Sequence, residues 1–214
     1  YFPPPRFEMN IPSPDGKVAL VTGANTGIGK VTACELARAG AHTILACRSQ
    51  SRAQEAIHEI IAETGVSPDK VEFLKLDLGS FANVRESAEA FLAMNLPLDI
   101  LVNNAGLAGV KALTEDGFEI AFGVNHLGHF LFTLMIFERL LEPETARIVN
   151  VASRAHYRVD GLDFSKVRTI AESTTGMTSY AYSKLANVLF TSELADRLEG
   201  KDTGVTTYSL HPGV

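Results

Sequence analysis

Two cysteines in 214 residues, Cys34 and Cys47, are too few for a disulfide framework or a four-thiolate zinc site. Both lie in apolar segments and read as buried, reduced thiols, in keeping with a reducing compartment. Long hydrophobic runs are also missing: none approaches the roughly 18 residues that a bilayer-spanning helix needs. No signal-peptide pattern is visible, so the expected location is the cytoplasm or the cytosolic side of a membrane. Basic charge is scarce. The net charge is −6, and no Lys/Arg stripe is available to displace counterions, which argues against nucleic acid as a partner. There is no internal repeat at solenoid spacing. The first residue is Tyr1 rather than Met, and Val214 falls in mid-motif. Both ends therefore read as trimmed, which leaves room for a membrane anchor upstream.

What is present is an ordinary globular balance, 46% hydrophobic and 21% charged, at a length suited to one compact domain. Residues 1–16 read as an extended arm, with five of the nine prolines in the first 14 positions, and 17–214 as the folded domain. From Lys17 onward, apolar runs alternate with helical patterns. Val18–Val21, Thr43–Cys47, Val71–Leu74, Ile100–Val102, Arg147–Val151 and Val205–Tyr208 read as strands. Helices are expected up to about Gly40, after Cys47, and over about 81–94, 117–141 and 179–199. Six near-continuously apolar strands alternating with helices imply an α/β fold: a doubly wound parallel sheet, covered on both faces. Residues 154–178, rich in Ser, Thr and Gly, form the one long irregular stretch and read as part of a substrate rim.

Thr22-Gly23-Ala24-Asn25-Thr26-Gly27-Ile28-Gly29 follows the first strand directly and opens a helix. In that context glycines permit a tight turn and let the backbone approach a pyrophosphate, which then sits on the helix N-terminus. The end of the second strand bears on which dinucleotide binds. An acidic residue there would meet the ribose 2′-OH of NAD, but the chain reads Cys47-Arg48-Ser49-Gln50-Ser51-Arg52. Arg48 can fork onto a 2′-phosphate, which points to NADP(H); the alternative is an arginine simply facing solvent.

Reaction chemistry concentrates in Ser179-Tyr180-Ala181-Tyr182-Ser183-Lys184. Tyr180 and Lys184 stand four apart and share a helix face, whereas Tyr182, two residues from the lysine, points away. An ammonium beside a phenol favours the phenolate. A phenol ordinarily titrates near 10, so proton shuttling near neutrality asks for roughly 4 kcal/mol of phenolate stabilisation. Lys184 together with an oxidised nicotinamide cation is a source of that stabilisation in a partly desolvated site. Hydride transfer to a carbonyl leaves an alkoxide needing a proton and a hydrogen-bond donor. Tyr180 can give the proton, and Ser153, at the end of Val149-Asn150-Val151-Ala152, can polarise the oxygen. Asn125 can anchor a water that resupplies the proton, or else cap or kink its helix. His126 and His129 lack a carboxylate or cysteine partner at ligand spacing, so no metal is expected.

Taken together, Thr22–Gly29, Asp77-Leu78, Asn103-Asn104-Ala105-Gly106, Asn125, Ser153, Tyr180/Lys184 and Pro212-Gly213 resemble the short-chain dehydrogenase/reductase family over nearly the whole chain. Asn125-His126-Leu127-Gly128-His129-Phe130 and Ser183-Lys184-Leu185-Ala186-Asn187-Val188-Leu189-Phe190 are most similar to its retinol-dehydrogenase and WW-domain-oxidoreductase branch. The resemblance implies a Rossmann-type sheet in the order 3-2-1-4-5-6, with a seventh strand in complete members that is missing from this chain. It implies Asp77 and Leu78 near the adenine, and Asn104, Ala105 and Gly106 by the adenosine ribose. Asp77 could instead cap the following helix. It further implies Pro212, Gly213 and Val214 beside the nicotinamide, and Asn125, Ser153, Tyr180 and Lys184 as a catalytic tetrad, with Lys184 also on the ribose hydroxyls. The implied reaction is NADP(H)-dependent interconversion of a small apolar aldehyde or ketone (retinoid, steroid or lipid-like) and its alcohol. A homodimer through the helices at 117–141 and 179–199 is implied as well. The alternative is a non-enzymatic NADP-binding sensor or scaffold on the same fold.

Overall fold

Side chains of a strand alternate between the two faces of its sheet, so a strand covered on both sides must be apolar at every position. The computed structural model describes residues 13–170 and 176–213 and contains six strands, of which the first, second and fourth are buried at nearly every position. They are β1 (Val18–Thr22), β2 (His42–Cys47), β3 (Val71–Lys75), β4 (Ile100–Asn103), β5 (Ala146–Val151) and β6 (Val205–Leu210). All pair in parallel, in the order β3-β2-β1-β4-β5-β6. This is the expected Rossmann-type sheet.

The alternation builds two cores. Leu20, Ile44, Leu101 and Ile148 point to one face, where they meet Phe91 of α3 (Phe81–Ala93), Phe132 of α5 (Gly128–Met135) and Leu194 of α7 (Met177–Leu198). Val21, Leu45 and Val102 point to the other, against Ala33 and Ala37 of α1 (Gly27–Arg38) and Ala56 and Ile60 of α2 (Gln50–Thr64). Local signals set the helix ends. Ser49 caps α2 by accepting from the Arg52 N–H, and Gly65 ends it in the left-handed region at φ 71°. Ser80 caps α3 by accepting from the Asn83 N–H. Asp77, the alternative cap for that helix, spends its Oδ1 on the Gly79 N–H at 2.9 Å instead.

The helix expected over 117–141 is broken into pieces. It starts with a single turn, α4 (Ile120–Phe122), whose first N–H groups are met by Glu119; its carboxylate accepts from the Phe122 N–H at 2.9 Å. A π-helical turn, Gly123–Leu127, follows, then α5, a break at Ile136 and a final turn, α6 (Phe137–Leu140). The physical reason for the π turn lies in Asn125, described below, whose side chain is committed to another loop. Over 154–170 the chain is irregular as expected, apart from 3₁₀ turns at Arg154–Arg158 and Phe164–Lys166, and α7 already begins at Met177. The expected arm falls, through residue 12, outside the described residues, as do 171–175 and Val214. Among the described residues no helix is long and apolar enough to cross a membrane.

Phe91 is fully buried beneath β1, β2 and β4. Truncation to Ala should cost about 3–5 kcal/mol, seen as a lower urea midpoint with an unchanged denaturant slope.

Candidate active site

In an open parallel sheet the crevice forms beyond the strand C-termini, where neighbouring crossovers depart in opposite directions. Here that point lies between β1 and β4, and one side chain ties the two strand ends together. The Thr22 hydroxyl accepts from the main-chain N–H groups of Asn104 and Ala105, both at 2.9 Å, while Asn104 Nδ2 returns a bond to the Thr22 carbonyl at 2.8 Å. The glycine turn and the Asn-Asn-Ala-Gly loop are thus held edge to edge. They approach so closely that side chains would not fit. Gly23 has φ 66°, and a Cβ there would lie 2.9 Å from Ala105 Cα. A Cβ on Gly29 would meet the Gly23 carbonyl oxygen at 2.6 Å.

A cavity of about 470 Å³ opens over this junction. Gly23, Asn25, Thr26, Ile28 and Gly29 form its floor, while Gly27 starts α1 with φ 55° and is not on the wall. Arg48 stands at one end, joined by Ser49 and Arg52. Asp77, Leu78 and Gly79 form a second wall, and Asn104, Ala105, Gly106 and Leu107 a third. Sequence reasoning passed over Arg52 as a binding residue. The signal was present as the second arginine of Arg48-Ser49-Gln50-Ser51-Arg52, and Ser49's cap places it in the first turn of α2. Cys47 lies under the turn, where burial pushes its thiol up to about 11 despite bonds from the Ala24 and Asn25 N–H groups.

A second cavity, about 340 Å³, continues from the first through the shared residues Ile28, Asn104, Gly106 and Leu107. Ser153, Tyr180, Lys184, Pro212 and Gly213 line it, with Ala108 and His211, which sequence reasoning did not single out. Ser153 follows β5 and caps the 3₁₀ turn by accepting from the Ala155 N–H at 3.2 Å. Among the described residues its hydroxyl proton has no acceptor and is available to donate. Tyr180 and Lys184 do share a face of α7: the ammonium lies 5.5 Å from the phenol ring centroid. Tyr182 faces Lys166 instead, away from the cavity. Lys184 is almost fully buried and donates to the Val151 carbonyl at 2.7 Å. Burial lowers its pKa from 10.5 to about 8.

Asn125 lies behind this cavity, wholly buried. Its Oδ1 accepts from the Leu107 N–H, and its Nδ2 donates to the Leu107 carbonyl and to Ser183 Oγ, at 2.9, 2.9 and 3.0 Å. Ser183 Oγ in turn donates to the Tyr180 carbonyl at 2.7 Å. The kink weighed for Asn125 is present: the π turn lets its amide face the loop after β4. Its main-chain carbonyl accepts from two side chains, His129 Nδ1 at 3.0 Å and Asn187 Nδ2 at 3.1 Å. His126 Nδ1 pairs with Asn187 Oδ1 at 3.1 Å. Ser183, Asn187 and His129 were not picked out from the sequence as site residues.

A glycine turn at a helix start, arginines at the far end and a Tyr-Lys-Ser group in a continuous trough define a dinucleotide-binding α/β protein. The model of the short chain dehydrogenase family matches residues 17–163. Human retinol dehydrogenase 12 is 50% identical over 200 residues, covering 93% of this chain and 61% of that protein. Mouse retinol dehydrogenase 11 is 49% identical over 199 residues, with 92% and 61% covered. Among solved structures, an uncharacterized protein from Mycobacterium paratuberculosis superposes with a TM-score of 0.82 at 37% identity, covering 95% of this chain and 70% of its own. The Pseudomonas aeruginosa RhlG/NADP active-site complex superposes with a TM-score of 0.74 at 27% identity, with 94% and 73% covered. The chain belongs to the short-chain dehydrogenase family. It spans about three-fifths of the length of the retinol dehydrogenases it matches.

The buried cation at Lys184 has a pH signature. Its folded pKa lies below the ordinary lysine value, so between about pH 8 and 10.5 the unfolded chain binds the extra proton and stability rises with pH. Below pH 8 the full cost of burying the charge remains. Relative to Lys184→Met, the wild type should gain on the order of 3 kcal/mol across that window by chemical denaturation at stepped pH. A pH-independent difference between the two proteins would contradict a buried Lys184 cation.

Proposed function

We propose that this chain forms the NADP(H)-binding and catalytic part of an oxidoreductase that interconverts an apolar aldehyde or ketone and its alcohol. The observation that carries the reading is the continuity of the two cavities. One trough runs from Arg48 and Arg52 past the glycine turn to Ser153, Tyr180 and Lys184. Its donor set fits a phosphorylated dinucleotide: main-chain N–H groups at the start of α1 for the pyrophosphate, and two guanidinium groups for a 2′-phosphate. Asp77 and Leu78 would flank the adenine. Asn104, Ala105 and Gly106 would border the adenosine ribose, and Pro212 and Gly213 the nicotinamide. That group, when bound, supplies or takes up the hydride.

The remaining chemistry belongs to the protein. Ser153 donates its free hydroxyl proton to the substrate oxygen and polarises the carbonyl. Tyr180 gives that oxygen a proton in reduction and withdraws it in oxidation. Lys184 holds its positive charge beside the phenol and favours the phenolate. Asn125 supports the loop of Leu107 and the turn of α7 that carries Tyr180.

Retinoid, steroid and lipid-like carbonyls are the substrate classes, the first favoured by the 50% identity to a protein named for retinol. A homodimer through α5 and α7 belongs to the same reading. The half-exposed Phe130, Leu134 and Leu189 on those helices, with Phe130 packed against Phe190, support it. The two buried free cysteines are in keeping with a reducing, cytosol-facing location.

The test is NADPH oxidation by the intact protein against retinal, aliphatic aldehydes, steroid ketones and quinones, with NADH in parallel. Tyr180→Phe should lower turnover by at least about 100-fold, the lower end of general acid–base contributions, while NADPH still binds. Tight NADPH binding without turnover by the wild type across the panel would favour a sensor or scaffold. Arg48→Ala should narrow the preference for NADPH over NADH, and Arg48→Ala/Arg52→Ala should narrow it further. An unchanged ratio in the double variant would sink the 2′-phosphate assignment.

A further inference from the structure

His129 touches neither cavity, yet it joins their two supports. Its Nε2 lies 2.8 Å from Thr22 Oγ1 and its Nδ1 lies 3.0 Å from the Asn125 carbonyl oxygen. Thr22, Asn125 and His129 are all buried, so each polar atom must find its partner within the protein. The partners dictate the tautomer. A carbonyl can only accept, so Nδ1 carries the ring proton and Nε2 is left as an acceptor. The Thr22 hydroxyl already accepts from the Asn104 and Ala105 N–H groups, so its single proton is free to be donated. The Val102 carbonyl competes for it only at 3.4 Å, so the proton goes to Nε2. Burial pushes the imidazole down to about 3, so the ring stays neutral and this direction of donation holds across the physiological range.

The result is two directional relays that meet in the covalent frame of Asn125. One runs from the Thr22 hydroxyl through His129 to the Asn125 main-chain carbonyl; the other runs from the Asn125 side-chain amide through Ser183 Oγ to the Tyr180 carbonyl. At the start of the first is the β1–β4 tie that shapes the dinucleotide trough; at the end of the second is the helical turn that bears the proton donor.

We propose that His129 is a positioning residue that couples the glycine-turn side of the cleft to the Asn125 turn, and so sets Tyr180 against the cofactor. This rests on the hydride-transfer reading above. A histidine with filled hydrogen bonds could equally serve stability alone, and two substitutions separate the roles. His129→Asn places an amide N–H near the Nδ1 position, so the Asn125 carbonyl stays satisfied, but it is too short to reach Thr22. His129→Leu loses both links.

The measurements are the melting temperature, the NADPH dissociation constant by fluorescence, kcat and KM for the best carbonyl, and hydrogen exchange of the Gly123–Leu127 amides with and without NADPH. His129→Leu should melt lower. His129→Asn should recover most of the melting temperature and keep NADPH affinity within about threefold, yet show kcat lowered on the order of 100-fold, the cost of a misplaced reacting group. NADPH should slow exchange of the Asn125 turn in the wild type and not in His129→Asn. Recovery of kcat together with melting temperature in His129→Asn, or unaltered NADPH-dependent protection, would overturn the coupling. If the wild type turns over no carbonyl, the hydride-transfer reading fails separately, and the exchange comparison alone decides the role of His129.

Discussion

A single hydroxyl, that of Thr22, fills its hydrogen-bonding capacity at the point where the sheet's crossovers diverge. Two main-chain N–H groups from the β4 loop converge on it. In a parallel sheet the strand ends at such a point are free to splay, because no ladder bonds continue beyond them. Thr22 closes that gap, and the close fit of Gly23 and Gly29 against Ala105 and Asn104 follows from it. The trough has its width because these two loops can come no nearer and are not free to part. Every candidate site residue is measured from that seam.

A layer of buried amides and hydroxyls extends the seam across one face of the sheet. Asn103 Nδ2 donates to Asn150 Oδ1 and Thr133 Oγ1, Asn150 Nδ2 donates to Thr191 Oγ1, and Thr191 Oγ1 donates to the Asn187 carbonyl. Apolar side chains would fill the same volume but would leave α5 and α7 free to slide in register over β4 and β5. Polar groups in a low-dielectric setting penalise any arrangement in which they go unpaired. Although Asn103 Oδ1 has no partner among the described residues, the remaining bonds favour this docking of the helix that carries Tyr180.

The strands and the glycine turn were legible because their signals are local: apolar runs of about strand length, and glycines directly after one of them; the order of the strands came from the family resemblance alone. Tyr180 and Lys184 were legible for the same reason, as one helical turn encodes their proximity. The break at Gly123–Leu127 was legible only as the kink weighed for Asn125; its cause was not, since the departure arises from Leu107, eighteen positions earlier, which captures the Asn125 amide. His129 and Asn187 were missed on the same ground, since their roles depend on partners brought in by tertiary packing. Arg52 differs, since only its placement by the Ser49 cap reveals that it shares a wall with Arg48.

Helix α7 starts from Gly176, whose φ of 63° turns the chain sharply at a spot where an added Cβ would sit 3.4 Å from Gly109 Cα. The start of α7 is thus docked on the β4 loop. The rim has moorings of its own: the Val167 carbonyl accepts from the Glu119 N–H at 2.8 Å, and the Arg168 guanidinium lies 4.0 Å from the Phe118 ring centroid. The helix that bears Tyr180 and Lys184 and the rim beside it are each fastened to the body at a point of their own.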